Sequence, residues 1–109
     1  LRASDNVQID DSLSHAQKIG FEIVRIAIRE PIRQIALNCG LSPDIIVREV
    51  LALDDSHGYD FSADASGVDL YEKGIIDPVK VTRCALQNAA SVAGTLITTG
   101  HAIINKGGK

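Results

Sequence analysis

The sequence predicts a mainly α chain: a helical bundle around a long central C-terminal helix, with one or two short strands. Three observations lead there. Isoleucine and valine recur at helical spacing from Ser14 to Arg29. Two later segments open on proline and run to a glycine stop, which is the asymmetry of helix ends. Aromatic residues make up only 4% of the chain, so the core has to be built from Ile, Leu, Val and Ala, a composition suited to helix-on-helix packing.

The opening stretch, Leu1 to His15, is polar with scattered apolar residues and reads as a frayed helix end and a linker. From Ser14, Ile19, Ile23 and Ile26 fall on one face, with Phe21, Val24, Ala27 and Ile28 filling in. Pro31 breaks or bends that run; "PIRQIALN" resumes it, and Gly40 supplies a left-handed stop. In "LSPDIIVREVLAL", Ser42 caps, Pro43 takes the first helical position, and Asp44 complements the positive helix end. "DDSHGYDFSADASG" is a loop rich in turn formers, with a short strand expected at Tyr59–Phe61. A short helix is expected from Val68 to Lys73, ending at Gly74.

The last helix is expected from Pro78 to about Thr99, with Asp77 as its cap, a span of about 33 Å. Ala85, Ala89 and Ala93 lie four apart on one face, and Ala90 and Gly94 on the adjoining row. Rows of this kind let two helix backbones approach closely. Val81, Leu86, Val92, Leu96 and Ile97 make the helix apolar almost all round, as a central helix would be. "HAIIN" reads as an edge strand and "KGGK" as the start of a flexible tail.

Length and composition bound the function. A chain of 109 residues is one domain at most. Its formal charge of −3, without a Lys/Arg cluster, argues against a nucleic-acid or anionic-membrane surface. No apolar run approaches the roughly 18 residues of a membrane span. There is no methionine, which implies a processed chain or a piece of a longer one. Cys39 and Cys84 belong to no metal or redox spacing and are expected to be reduced, buried thiols. The acidic run Asp54, Asp55, Asp60, Asp64 is not a calcium loop, since the twelfth position counted from Asp54 is Ala65. His15, His57 and His101 are scattered and read as surface residues, and neither "EKGI" nor "NKGGK" has P-loop spacing.

Three ordered segments carry a resemblance. "EPIRQIALNCG", "GYDFSAD" and "KGIIDPVKVTRCALQNAASVAGTLITT" resemble, in order and nearly in spacing, the group I chaperonins of the GroEL type, over about Ala16 to Thr99. The resemblance implies that residues 1–109 are a fragment of the equatorial, ATP-binding domain, its C-terminal segment, without the intermediate and apical domains. It implies an ATP-dependent protein-folding chaperone, in bacterial cytoplasm or an organelle matrix. Its partners would be other chaperonin subunits in a double ring, a co-chaperonin and non-native proteins, the last two met through domains outside this segment. Nucleic acid and membrane are not among them, and the fragment, with its apolar faces uncovered, is expected to self-associate.

The implied site is the adenosine side of a pocket for ATP or ADP with Mg²⁺. Asp77 would take the ribose hydroxyls, which suits a carboxylate accepting two strong hydrogen bonds. Asp60 and Phe61, with Tyr59 nearby, would approach the adenine, and Ile75 and Ile35 would pack on the base. No metal ligand and no catalytic residue are expected, because the family's phosphate-holding loop has no counterpart here. The fragment is therefore expected to hydrolyse no ATP and to require no cofactor of its own. Two departures affect the adenine side: one more residue than usual between Tyr59 and Gly74, and Phe61 where small residues are common. At the ring interface, the family's partner for Arg33 is replaced by Ser42, so Arg33 is expected to re-pair with Asp44 across rings or to leave that contact weaker. The alternative to all of this is an independent helical protein-interaction module with no nucleotide function.

Overall fold

A computed structural model describes residues 1–107. The chain forms two units, Leu1–Ile75 and Ile76–Lys109. The first contains α1 (Arg2–Asp5), α2 (His15–Ala27), α3 (Glu30–Asn38), α4 (Pro43–Ala52) and a two-stranded sheet of β1 (His57–Asp60) and β2 (Ala65–Asp69). The second contains α5 (Val79–Thr98). The mainly α class is observed.

Helix ends follow from local chemistry. Ser14 closes a capping box at α2: the Gln17 amide donates to Ser14 Oγ at 3.2 Å, and the Ser14 amide donates to Gln17 Oε1 at 2.8 Å. Pro31 sits in the first turn of α3, where its missing N–H costs no hydrogen bond, and α2 stops before it at Ala27. At the other end of α3, Gly40 takes φ +73°. The Leu41 amide then donates to the Ala36 carbonyl at 2.9 Å and the Gly40 amide to the Leu37 carbonyl at 3.0 Å. This is a Schellman ending, and it drops Leu41 onto the core beside Ala36. Pro43 starts α4 as expected, with Ser42 at the cap position but without a side-chain capping bond.

The core is small and lies in the first unit. Ala36 is completely buried, and Ile46, Val47 and Val50 nearly so. Leu1, Ile32, Leu41, Tyr59 and Phe61 pack around Ala36, Ile46 and Val50, so α3, α4, the hairpin and Leu1, just ahead of α1, all contribute.

The hairpin differs from the expected loop. β1 pairs antiparallel with β2, Asp60 opposite Ala65 and His57 opposite Asp69, with a register shift between Gly58 and Tyr59. Gly58 faces Val68 while Tyr59 faces Ser66, which leaves Gly67 as the extra residue of a bulge, at φ +71°. The helix expected over Val68–Lys73 is instead the end of β2 followed by a turn. Asp69 accepts from the Tyr71 and Glu72 amides at 2.9 and 3.1 Å, and Gly74 closes the turn with the Ile75 amide on the Leu70 carbonyl. The turn has cap-like chemistry at both ends, which is why its sequence resembles a short helix.

Three further expectations are corrected. The segment "HAIIN" forms no strand; among the described residues the second unit holds no other strand to pair with it. Cys39 and Cys84 are free but exposed: Cys39 caps α3 where the chain turns away, and α5 buries none of its residues. Pro78, with ψ 137°, is itself the N-cap of α5, so Asp77 stands one position outside and makes no capping bond.

Two substitutions test this account by reversible unfolding monitored by circular dichroism. Ile46→Ala should cost about 2–5 kcal/mol, because Ile46 sits at the centre of a core too small to close around a cavity. Ser14→Ala should cost about 1 kcal/mol through loss of the capping box.

Candidate functional site

Of the six residues expected to face adenosine, five lie in the first unit. Tyr59 and Phe61 stack obliquely at the end of the hairpin, ring centroids 4.9 Å apart and planes at 52°, against the cluster around Ala36. They are core contributors whose outer edges remain partly exposed. Ile35 and Ile75 are 45% and 44% exposed, respectively, so both offer apolar surface that the fold does not use.

Asp60 is buried, and its carboxylate is committed. Its Oδ1 accepts from the Ser62 hydroxyl at 2.6 Å, the Ser62 amide at 2.9 Å and the Ala63 amide at 3.2 Å. The Ser62 hydroxyl above all, then the two amides and the charge of Lys73, hold its pKa below the ordinary carboxylate value, against the opposing effect of burial. Asp60 therefore shapes the hairpin turn. Any contact it makes to a base has to come through its backbone or its unused oxygen.

Tyr59 donates its hydroxyl to Asp64, which holds φ +50°, a left-handed conformation that Asp adopts more readily than most residues. That hydrogen bond, with burial and the negative charge of Asp64, pushes the Tyr59 phenol up to about 12. Phe61 through Ala63 are thus spanned by a double tie, Asp60 on the inside and Tyr59–Asp64 across the turn.

Asp77 lies in the second unit, exposed, two residues beyond Ile75. With Pro78 as the N-cap, its carboxylate has no capping role. The chain has no group of three or more His, Cys, Asp or Glu residues able to hold a metal ion among the described residues.

Arg33 and Asp44 are brought together within the chain. The Arg33 guanidinium donates to Asp44 Oδ1 and reaches Glu30 Oε1 at 3.3 Å, tying α3 to α4. The hydrogen bond with Asp44, more than its charge, raises the Arg33 pKa further. A loop of four residues between the helices brings the two side chains within reach inside one chain; the sequence expectation of a pairing across rings, or of a weaker contact there, concerns other subunits. Sequence reasoning missed the capping box, whose Ser-x-x-Gln signature is present, and the ties of Arg2, which no local pattern signals.

The sequence model of the TCP-1/cpn60 chaperonin family matches residues 1–107. The chain belongs to the TCP-1/cpn60 chaperonin family, whose members are protein-folding chaperones that assemble with other chaperonin subunits.

The Asp60 ties imply a pH dependence. A folded-state pKa below the unfolded value of 3.8 adds stability above that value, and the addition disappears as pH falls through the lowered folded pKa. Asp60→Asn should therefore be destabilised at neutral pH, with its deficit against wild type narrowing below about pH 4, measured by chemical unfolding across pH.

Proposed function

We propose that this chain is the C-terminal segment of a group I, GroEL-type equatorial domain, and that it supplies the adenosine-contacting side of an ATP pocket together with part of the ring interfaces. The observation that carries the reading is Asp77: an exposed carboxylate at the foot of α5, released from capping by Pro78, in a chain of the chaperonin family. Asp77 would accept the ribose hydroxyls, and Ile75 and Ile35 would pack on the base, with Tyr59 and Phe61 forming the hairpin wall near the adenine. Asp60 contributes by fixing that wall. The nucleotide supplies the phosphoryl group; this segment binds and orients the nucleoside and holds neither Mg²⁺ nor the phosphates.

Calorimetric titration of the chain with Mg·ADP tests this. A saturable heat that disappears in Asp77→Ala, with unchanged circular dichroism, is the expected result. No heat from a well-folded chain would place the affinity elsewhere in the domain and overturn the site. Mg²⁺-dependent phosphate release should stay at the no-protein blank.

The interface role is supported by α5. Val79, Val81, Leu86, Val92, Leu96 and Ile97 are all more than half exposed. The hydroxyls of Thr95, Thr98 and Thr99 turn inward to carbonyls of Ser91, Gly94 and Thr95, at 3.0, 2.9 and 2.6 Å, which leaves the helix surface still more apolar. Apolar surface on this scale marks a face that meets another protein. Sedimentation velocity should accordingly show concentration-dependent association, and Leu86→Glu combined with Ile97→Glu should abolish it.

A further inference from the structure

We infer, on the basis of the nucleoside site proposed above, that Asp64 is a positioning residue for its base-facing wall. By holding the Tyr59 hydroxyl, Asp64 sets the angle of the Tyr59–Phe61 pair, and through it the affinity for a base that Asp64 does not touch.

The left-handed backbone positions among the described residues are Gly40, Gly67, Gly74 and Asp64. Glycine adopts that conformation freely, whereas any residue with a Cβ does so at some cost. What the aspartate supplies in exchange is an acceptor: the Tyr59 hydroxyl donates to its Oδ1. Asp64 immediately precedes β2, whose first residue, Ala65, pairs with Asp60. The acceptor is therefore carried on the end of the sheet and not on a free loop.

The two ties across this turn act on different groups. Side chains alternate along a strand, so Tyr59 and Phe61 project to one side and Asp60 to the other. The rings meet at 4.9 Å between centroids, while buried Asp60 binds Ser62 and Ala63 through its Oδ1. Those bonds shape the backbone from Phe61 to Ala63 and leave the rings unanchored. Of the two rings only Tyr59 carries a polar atom, and a ring bound at its tip no longer swings about its side-chain torsions. Phe61 then takes its tilt from contact with that ring, at a separation aromatic pairs favour. The phenol pushed up to about 12 owes its shift first to this hydrogen bond. Without the bond the pair would still rest on the Ala36 cluster, but its outer edges would have to be ordered whenever a base binds, which weakens binding.

Three variants separate the tie from the backbone. Asp64→Gly suits the left-handed position better than aspartate but removes the acceptor. Asp64→Asn tolerates that position and keeps an acceptor, and Tyr59→Phe keeps the ring and removes the donor. In calorimetric titration with Mg·ADP, Asp64→Gly and Tyr59→Phe are expected to bind several-fold more weakly than the unaltered chain, and Asp64→Asn nearly as tightly, all with unchanged far-ultraviolet circular dichroism. The near-ultraviolet tyrosine band adds a reading free of nucleotide. The chain has no tryptophan and Tyr71 is 71% exposed, so that band reports mainly Tyr59. It should fall in Asp64→Gly and persist in Asp64→Asn. A heat from the unaltered chain with equal affinity in Asp64→Gly and Tyr59→Phe would overturn the positioning role and leave the nucleoside site standing; a band unchanged in Asp64→Gly would overturn that role equally. No heat from the unaltered chain overturns the nucleoside site, and the positioning role with it. Should Asp64→Gly lose its far-ultraviolet signal, Tyr59→Phe, which leaves the backbone of the turn untouched, decides by its affinity alone.

Discussion

The first unit of this protein turns on a single methyl group. Ala36 has no exposed surface, and α3, α4 and the hairpin converge on it with Ile46 and Val50. An alanine at that point lets α3 and α4 approach closely, and the Schellman turn at Gly40 then returns the chain so that Leu41 seals the same spot. A larger side chain would push the helices apart, and a smaller one would leave the turn without its apolar contact.

Around so small a core, polar ties carry an unusual share of the order. Arg33 joins α3 to α4 through Asp44, Arg2 takes the carbonyls at the end of α4, and Asp5 spans the break after α2. Individually such exposed pairs contribute little. Their importance here lies in direction: each fixes the angle between two elements that share few buried side chains. Asp60 does the same for the hairpin, using a carboxylate where a longer turn would otherwise be loose.

The second unit shows the opposite condition. α5 buries no residue, although its sequence is that of a helix meant for close packing, with small residues in rows and bulky ones between them. Under the proposed reading, that face is one the chain offers to the rest of a chaperonin assembly. The same reasoning separates the two carboxylates of the candidate site, since Asp60 is used up by the fold of its own hairpin and Asp77 is left over.

The sequence by itself determined the mainly α class, the places where α2, α3 and α4 begin and end, and membership of the family. Each of these rests on local or linear information: the spacing of Ile19, Ile23 and Ile26, Pro31 and Pro43 at helix starts, Gly40 at a stop, and three ordered strings of residues. Most of the candidate site was legible only through the family strings, because a nucleoside wall has no spacing rule of its own. Tertiary structure alone decided that Val68 belongs to a strand, since its partner Gly58 lies across a turn whose closure depends on Asp60 and Tyr59. It alone showed that the cysteines face solvent, that Arg33 finds Asp44 within its own chain, and that Arg2 and Asp5 hold residues far along the sequence. Pairings of that kind depend on where the backbone brings two side chains, and no periodicity records it.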